Sequence, residues 1–359
     1  MITTKTIPLM TPYVPQAAKR AAAAVLETRW IGQGPKVDEF EKRFSAQIVD
    51  GSACVAVSSG TAALHLAYIL AGIGPGDEVI APLFTCTLAN EPLLWLRAKI
   101  RFCDVAPGSL NMDPAHALEL ITERTKAIVV VHYGGQPVDD RLFHLGVPVI
   151  EDCAHSSDPG FTSRGQFQCF SFQAVKHIST PDGGMLVVPD SLAAKAKRLR
   201  WAGIDREAKH AGTWENDIRE AGYKYQMNDV AAAMGLEALK ELDWQISYRK
   251  DLRGEYVFGL HDVPGITVTD RDPRSACWLM TVLVDRRRED LMRNLRENGV
   301  ECDLVHYRND RYSIFKEFRR PGEFPNMDAV EGKYLVLPLH MGMDVGDVAR
   351  ICDVIRCGW

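Results

Sequence analysis

The sequence predicts an α/β protein in which a large domain, built on a mostly parallel seven-stranded sheet, precedes a small C-terminal α/β domain. The chain has 359 residues, which exceeds the ~250–300 residues that one hydrophobic core usually supports. From Ala53 onward, short β-branched runs alternate with helical stretches, a pattern typical of a parallel sheet covered by helices on both faces. The pattern changes after residue 242. We therefore expect residues 1–244 to form an N-terminal arm and the large domain, and residues 245–359 to form the small domain.

Seven short runs rich in β-branched residues are predicted as the strands of the large sheet. Each run ends near Gly, Pro, Ser or Asp, the residues that commonly terminate strands. The predicted strands are Cys54–Val57, Glu78–Pro82, Ile100–Val105, Ala127–His132, Val147–Asp152, Gln168–Phe172 and Met185–Val188.

Helical stretches fill the gaps between these strands, because their apolar residues recur at three- and four-residue spacing or because they are rich in good helix formers. The predicted helices of the large domain are Thr61–Ala71, Leu88–Leu96, Pro114–Thr122, Ser191–Ala202 and Asp229–Leu242, the last capped by Asn228 or Asp229. For the small domain we predict helices at Arg249–Leu260 and Arg287–Asn298, a strand at Trp278–Val284 and a turn-rich connection over residues 265–276.

Composition indicates a folded protein that acts on small molecules. Hydrophobic residues make up 46% and charged residues 25% of the chain, as in ordinary globular proteins, which excludes disordered, collagen-like and coiled-coil classes. The net charge of −5 offers no broad basic field for nucleic acid or an acidic membrane. No signal peptide and no apolar run long enough to span a membrane is visible. We therefore expect a cytoplasmic protein with no nucleic-acid or membrane partner.

The nine cysteines and ten histidines show no spacing typical of a metal site or a disulfide framework. The cysteines are odd in number and include no C-x-x-C pair, so we expect reduced and mostly buried thiols. The histidines lack H-x-x-x-H and H-E-x-x-H spacing. The sequence therefore predicts no bound metal.

A first candidate binding segment, Ser58–Leu64, lies between a predicted strand and a predicted helix. The N-terminus of a helix presents unpaired backbone N–H groups and the positive end of the helix dipole, and Gly60 lets the chain approach an anion closely. The segment therefore predicts a phosphate site. An ordinary Ser- or Thr-capped helix has the same composition, so the segment alone leaves both interpretations open.

A second candidate is the end of the apolar strand VPVIED, where Asp152 is followed three residues later by His155. Ligands of open α/β sheets bind at the carboxyl ends of the strands. A carboxylate that faces inward there needs a cationic or hydrogen-bonding partner, such as a protonated ring nitrogen. The alternatives are a helix cap or a structural ion pair for Asp152 and a hydrogen-bonded packing residue for His155.

A third candidate is Lys176, which follows a predicted strand and lies among apolar residues instead of on a charged helical face. Burial of an amine lowers its pKa and makes it a usable nucleophile for a Schiff base. Most lysines are solvated surface charges, so Lys176 alone proves little.

Together, a phosphate cradle, an inward-facing carboxylate and a buried lysine are the groups that a pyridoxal phosphate (PLP) site requires. In the order and separation of these elements the sequence resembles the DegT group of sugar aminotransferases, which have the aspartate aminotransferase fold. Matching stretches include SSGTAALHLA, VIEDCAH, FSFQAVKHISTPDGGMLVV and GYKYQMNDVAAAMG, and they extend over roughly residues 30–242. The resemblance implies PLP fold type I for the large domain and PLP as the cofactor.

The resemblance also implies the catalytic roles. Lys176 is expected to hold the cofactor through a Schiff base and to move protons during the reaction, and Asp152 is expected to pair with the pyridine nitrogen. His155 is expected to lie against the cofactor ring or its hydroxyl.

Further cofactor contacts follow from the same resemblance. The phosphate is expected to accept hydrogen bonds from the backbone N–H groups of Gly60 and Thr61, from the hydroxyl of Ser171 and from the amide of Gln226. In many relatives an aromatic residue stacks on the cofactor ring from the position that Cys86 occupies here. Phe84 is the nearest aromatic residue in the sequence, so the stacking partner stays open.

For the reaction, the resemblance implies L-glutamate as amino donor, a nucleotide-linked keto-sugar as acceptor, ping-pong kinetics and a role in amino-sugar and polysaccharide biosynthesis. Candidate acceptor-binding residues mix cations with aromatic rings, although solvated loops would have a similar composition. They are Trp30, Lys224, His306, Tyr307 and Arg308. In this family the GYKYQMND stretch reaches the neighbouring subunit's site, which implies a homodimer with active sites at the interface.

Two alternatives remain at this point. A sugar dehydratase of the same fold uses pyridoxamine phosphate and has histidine instead of the lysine, which would require His177 to take the place of Lys176. A non-catalytic regulator that retains the fold is the other alternative, and the presence of Lys176, Asp152 and Ser171 argues against it.

Overall fold

The computed structural model describes residues 6–158, 164–210, 212 and 217–359. The strands in this part of the chain are β1 (Ala53–Val57), β2 (Glu78–Pro82), β3 (Lys99–Cys103), β4 (Thr125–Val131), β5 (Val149–Asp152), β6 (Phe167–Ser171), β7 (Gly184–Val188), β8 (Ile266–Val268), β9 (Met280–Val284) and β10 (Tyr334–Leu337).

The helices are α1 (Gln16–Leu26), α2 (Pro35–Ile48), α3 (Gly60–Leu70), α4 (Thr87–Trp95), α5 (Pro114–Leu120), α6 (Asp190–Arg200), α7 (Arg206–His210), α8 (Asp229–Lys240), α9 (Leu242–Leu260), α10 (Arg288–Glu297), α11 (Pro325–Val330) and α12 (Val345–Arg356). Short 3₁₀ segments occur at Tyr133–Gly135, Asp140–His144, Asn309–Arg311 and Ser313–Phe318.

The large sheet has seven strands in the order β1-β7-β6-β5-β4-β2-β3. Strand β7 is antiparallel to both of its neighbours, whereas the other pairs are parallel. This arrangement confirms the predicted mostly parallel, seven-stranded sheet. The predicted strands differ from the observed ones only at their ends, because β-branched runs bounded by turn residues leave little choice of position.

Helices cover both faces of this sheet. Along β1, alternate side chains pack into two different hydrophobic cores, one on each face. Val55 and Val57 join the core that contains α3, while Cys54 and Ala56 join a second core with α2 and α8. Successive side chains of a strand point to opposite faces. In the second core, Phe44 packs edge-to-face against Phe170 at 4.9 Å between ring centres. The sheet is therefore the rigid middle layer on which the loops at its edge are fixed.

The small domain contains the three-stranded antiparallel sheet β10-β9-β8, packed against α9, α10 and α12. Strand β8 lies within residues 265–276, which the sequence predicted as a turn-rich connection without a strand. That prediction was wrong, because Ile266 and Val268 alternate with exposed Thr267 and bury their side chains in the small-domain core. Three residues between two turns are too short for a periodic pattern to stand out.

Helix α9 joins the two parts of the molecule. It begins at Leu242, directly after α8, and continues for 19 residues, whereas the sequence predicted separate helices ending at Leu242 and beginning at Arg249. The proposed domain boundary between residues 244 and 245 falls in its first turn. The N-terminal arm also reaches the small domain, since the Ile7 N–H donates to the Gly299 carbonyl at 2.8 Å and the Ile7 side chain is buried in that core.

The helices in the described part of the chain are either too short or too polar to cross a lipid bilayer.

Candidate active site

The candidate site is built at the edge where the parallel strands of the large sheet end. Asp152 is the last residue of β5 and Ser171 the last residue of β6. The antiparallel strand β7 begins at the same edge, and its first residue, Gly184, pairs with both Ser171 and Val57. The carboxyl ends of β1, β5 and β6 therefore meet at one place, where ligands of open α/β sheets bind.

The tip of helix α3 lies against this edge. The side chain of Ser59 caps the helix by accepting the Ala62 N–H at 3.1 Å. A Cβ atom on Gly60 would lie 2.8 Å from the Cβ of Ser171, and a Cβ atom on Gly184 would lie 2.5 Å from the Ser59 carbonyl oxygen. Both glycines are therefore required for this close approach. This close approach places the first N–H groups of α3 beside the Ser171 hydroxyl. Together these groups form a set of hydrogen-bond donors suited to an anion.

Asp152 supplies a buried carboxylate at the same edge. The side chain is 6% exposed, and one carboxylate oxygen accepts the Ala154 N–H at 3.0 Å. Burial raises the pKa of Asp152, while the Ala154 hydrogen bond and the positive charge of Lys176 act in the opposite direction. A buried carboxylate with this environment favours a cationic or proton-carrying partner.

Lys176 lies in a turn that is held by several hydrogen bonds. Its backbone N–H donates to the Gln173 carbonyl at 2.8 Å, and the Ser179 hydroxyl donates to the Ala174 carbonyl at 2.6 Å. Desolvation lowers the pKa of Lys176 to about 8, although Asp152 and Cys86 act to raise it. At pH 7 roughly a tenth of the amine is therefore neutral and able to act as a nucleophile, far more than for an ordinary lysine.

Trp278 was not predicted from the sequence to belong to the site. The Nζ atom of Lys176 lies 3.6 Å from the centre of the Trp278 ring, and the indole N–H donates to the Val175 carbonyl at 3.0 Å. In the sequence, Trp278 stands only at the start of an apolar run. Nothing in the sequence indicates that residues 275–279 fold back across the large domain. They do so because the N–H groups of Trp278 and Leu279 both donate to the Gly134 carbonyl.

His155 stacks on the same indole at 3.8 Å between ring centres. Its Nδ1 accepts the Gly134 N–H at 3.3 Å. Burial lowers the pKa of His155 well below its ordinary value, and the charge of Lys176 contributes in the same direction. The imidazole is therefore neutral, and the accepting Nδ1 leaves the proton on Nε2 as a hydrogen-bond donor.

The loop between β2 and α4 contributes Cys86. Burial raises the pKa of the Cys86 thiol, and the charges of both Asp152 and Lys176 act on it, so the thiol shares their surroundings. Phe84 instead is buried between Tyr133 and Tyr334, at 5.0 and 4.9 Å between ring centres. The geometry therefore places Cys86, and not Phe84, beside the lysine.

His306 reaches the site from the small domain. Its ring is nearly parallel to that of His155, with 5.7 Å between their centres, and desolvation together with Lys176 lowers the pKa of His306 to about 3. Among the described residues, no hydrogen-bond partner faces its buried Nε2. Tyr307 is 44% exposed and contacts Tyr312 edge-to-face, so its ring remains accessible in the single chain.

The structure lends no support to the expected substrate contact of Arg308. Its side chain is buried and forms ion pairs with Asp310, Asp328 and Glu331. These partners occupy the guanidinium, and their charges together with their hydrogen bonds keep the pKa of Arg308 above its ordinary value despite burial. Through these ion pairs Arg308 holds the segment after His306 in place.

Asn309 is a second positioning residue that the sequence did not reveal. Its Nδ2 donates to the Thr85 carbonyl at 2.7 Å, and its Oδ1 accepts a hydrogen bond from Asn90 at 2.9 Å. The backbone of Asn309 also donates to the Leu83 carbonyl. These bonds tie the small-domain segment to the loop that carries Cys86.

Trp30, Lys224 and Gln226 are the remaining residues that were expected to bind the cofactor or the acceptor. Trp30 lines a cavity of about 440 Å³ bounded by α1, α2 and α8. Lys224 is exposed. The side-chain oxygen of Gln226 accepts hydrogen bonds from the Lys224 ammonium at 3.0 Å and from the indole N–H of Trp201 at 3.3 Å. Gln226 also forms a backbone bridge to Val57, shortly before the tip of α3.

A buried cluster next to the site has the residue types of a metal site. Its ligand atoms, on His132, Glu151 and Cys153, lie within 4.8 Å of one another. The His132 Nε2 lies 2.9 Å from the Glu151 carboxylate, and its Nδ1 accepts the Val138 N–H. The other Glu151 oxygen accepts the Arg164 N–H at 2.9 Å. Protein hydrogen bonds thus engage both ring nitrogens of His132 and both carboxylate oxygens of Glu151.

Comparison with known proteins places this geometry among aminotransferases. The model of the DegT/DnrJ/EryC1/StrS aminotransferase family matches residues 13–356. The chain is 33% identical to the spore coat polysaccharide biosynthesis protein SpsC of Bacillus subtilis, over 98% of this chain and 96% of that protein. It is also 33% identical to the UDP-4-amino-4-deoxy-L-arabinose–oxoglutarate aminotransferase of Shewanella sediminis, over 97% of each chain.

Solved structures show the same fold over nearly the whole chain. AtS13 from Actinomadura melliaura superimposes with a TM-score of 0.91 at 34% identity, covering 99% of this chain and 100% of that one. The PLP-form of Spr1654 from Streptococcus pneumoniae superimposes with a TM-score of 0.91 at 25% identity, covering 98% of each chain.

Proposed function

The chain belongs to the DegT/DnrJ/EryC1/StrS aminotransferase family, and we propose that it transfers an amino group from L-glutamate to the keto group of a nucleotide-linked sugar by a ping-pong mechanism. The observation that carries the proposal is the meeting of Lys176 and Asp152 at the edge where the tip of α3 also lies.

The cofactor of this sugar aminotransferase is PLP, as the family and the PLP-form neighbour indicate, and the residues present fit it. The cradle formed by Gly60, Thr61 and Ser171 suits a phosphate. Asp152 suits the ring nitrogen, and Lys176 suits the aldehyde. The buried Nε2 of His306, which faces no partner in the described part of the chain, further indicates that a polar group belongs in this space.

When bound, PLP supplies a protonated ring into which the electrons of a broken C–H bond delocalise. The contribution of Asp152 is to hold the proton on the ring nitrogen. Its buried position makes the charge interaction stronger than it would be in water.

Lys176 has two tasks at one atom. Its Nζ binds the cofactor and, once released, removes a proton from the donor's Cα and later delivers one to the acceptor carbon. A pKa of about 8 suits both directions, because a general acid–base works best when its pKa lies near the working pH.

Support for the substrates comes from the relatives and from the site. The Shewanella sediminis relative is named for a UDP-linked amino sugar and oxoglutarate, and oxoglutarate is what glutamate becomes when it gives up its amino group. Tyr307 remains exposed beside His306 and is available to a sugar. We assign the acceptor contacts of this chain to His306 and Tyr307.

We also propose a homodimer. Trp30 and Lys224, expected to contact the acceptor, are exposed in the single chain, so they are available to the site of a second subunit. Gln226 belongs with them, as its side chain faces Lys224.

The dehydratase alternative receives no support from the position of His177. Its ring is buried and lies 2.8 Å from the Ala276 carbonyl, and desolvation lowers its pKa to about 3. His177 therefore points away from the place that Lys176 occupies.

The test is to incubate the purified protein with PLP, glutamate and a panel of nucleotide keto-sugars, and to search for aminated sugar by mass spectrometry. Glutamate alone tests the first half-reaction, through the appearance of oxoglutarate and the loss of the PLP absorption. Formation of both products supports the proposal. A dehydrated sugar without amination would favour the dehydratase, and no reaction with glutamate would overturn the donor assignment.

A further inference from the structure

The amine of Lys176 has a partner from a distant part of the chain. Its Nζ lies 3.6 Å from the centre of the Trp278 ring, at the distance where a cation is attracted to the electron-rich face of an indole. Trp278 is 5% exposed, so little water competes for the amine at this face. The contact is therefore stronger than a cation–π pair at an exposed surface.

The indole itself cannot turn away from the lysine. Its N–H donates to the carbonyl of Val175, the residue before Lys176, and its backbone N–H donates to the Gly134 carbonyl at 2.8 Å. His155 stacks at 3.8 Å between ring centres. Together these contacts fix the orientation of the indole beside Lys176.

We propose that Trp278 is a positioning residue for Lys176, whose ε-ammonium it binds on one face of the indole whenever the amine is not bonded to the cofactor. The proposal rests on the proposed function in taking Lys176 as the reacting amine. Trp278 contacts the amine of Lys176, so it acts through Lys176. Through Trp278, the segment between β8 and β9 helps to orient the amine of Lys176.

Binding to the indole face has a consequence for protonation. An aromatic face attracts the charged ammonium and not the neutral amine, so it raises the pKa of the lysine relative to the same site without the ring. Burial acts in the opposite direction. Other titratable groups interact electrostatically with Lys176, and all of them are retained when a Trp278 variant is compared with the wild type. They are Asp152, Cys86, His155, His177 and His306.

The test measures the titration of Lys176 in the full-length protein prepared without PLP. Trace acetylation with acetic anhydride from pH 6 to 10, followed by mass spectrometry of the peptide that contains Lys176, gives the midpoint at which the amine becomes reactive. For Trp278→Leu we expect the midpoint to fall by about one pH unit, a tenfold change in the acid dissociation constant. Trp278→Phe, which keeps a weaker aromatic face, should give a smaller fall.

The control is Trp244→Leu, which removes a half-exposed indole of α9 and should leave the midpoint unchanged. An unchanged midpoint in Trp278→Leu, or a rise, would overturn the proposal, because it would mean that the ring only fills space. If the Leu variant does not fold, as judged by circular dichroism, the Phe variant decides the question by the same criterion. The titration needs neither sugar nor glutamate, so its outcome is independent of whether the proposed reaction occurs.

Discussion

Gly60 and Ser171 are in contact: a Cβ atom on Gly60 would lie 2.8 Å from the Cβ of Ser171. The first residue of α3 thus rests directly on the last residue of β6. This contact, more than any single polar group, creates the anion cradle, because it brings the end of the helix to the hydroxyl.

Gly60→Ala should weaken PLP binding by about 5- to 150-fold, since the added methyl group must push the helix tip away from Ser171, at a cost typical of an overpacked site, roughly 1–3 kcal/mol. Titration of the cofactor by its absorption checks this. Gly74→Ala is the matched control, because a Cβ atom there meets nothing within 4 Å. Equal affinities of the two variants would contradict the close approach.

Lys176→Ala should reduce transamination by at least about 10²–10⁴-fold, because the variant loses its general acid–base. The fold should persist, which thermal unfolding will show. Borohydride treatment of the wild-type protein with PLP should label Lys176, and the peptide can be identified by mass spectrometry. Lys99→Ala, at an exposed position of β3, should retain activity. Normal turnover by the Lys176 variant would refute the assignment.

Asp152→Asn should slow proton abstraction from glutamate by about 10²–10³-fold, the loss typical of removing one preorganised electrostatic contact. An amide cannot hold a proton on the ring nitrogen as a carboxylate does. Stopped-flow measurement of the glutamate half-reaction checks this, with Asp139→Asn at the surface as control. Near-native rates in Asp152→Asn would count against the pairing.

His177→Asn should make the protein less sensitive to acid. The pKa of His177 is about 3 in the fold and 6.5 without it, so below pH 6.5 the unfolded chain binds a proton that the folded chain does not. This histidine therefore contributes stability above pH 6.5 that is lost progressively as the pH falls toward 3.

The loss from one such histidine amounts to about 1.4 kcal/mol per pH unit. Urea unfolding at pH 7, 6 and 5 should show a shallower decline for His177→Asn than for the wild type. The exposed His144 provides the control variant His144→Asn. If the free energy of unfolding declined equally with pH in His177→Asn and in the wild type, the His177 ring would have to be protonated in the folded protein.

Arg308→Met should destabilise the protein by about 3–5 kcal/mol, because Asp310 stays buried without its cation. Urea unfolding measures the loss, and Arg311→Met, which removes a more exposed partner of Glu331, is the control. A variant that keeps wild-type stability but has a raised KM for the acceptor would restore Arg308 to the substrate site.

Much of the fold was predictable because its signals are local. Strand β2 is observed at the predicted residues, Glu78–Pro82, and Asp152 ends β5 as expected. Helix α3 begins at Gly60, one residue before the predicted start at Thr61, after its Ser59 cap. Two of the errors lie where local signals are weak, at the three-residue strand β8 and at the junction of α8 and α9. Helices α1, α2 and α12 and strand β10 were not predicted.

The site was predictable only in part, for a similar reason. Lys176, Asp152 and Gly60 stand in distinctive surroundings within the sequence, but Trp278 does not. The hydrogen bond between Trp278 and Val175 joins residues 103 positions apart, and no periodicity indicates such a contact. Arg308 looked like a ligand-binding cation because its partners Asp328 and Glu331 lie 20 and 23 positions further on.

The sequence by itself determined which chemical groups this protein has and the order in which strands and helices present them, because hydrophobic periodicity and turn residues act over a few neighbours. The tertiary structure decided which groups meet. It placed the Trp278 indole against the Lys176 amine, paired Arg308 with three carboxylates and set the pKa of the buried amine. Desolvation and charge depend on what surrounds an atom in space and not on its place in the chain.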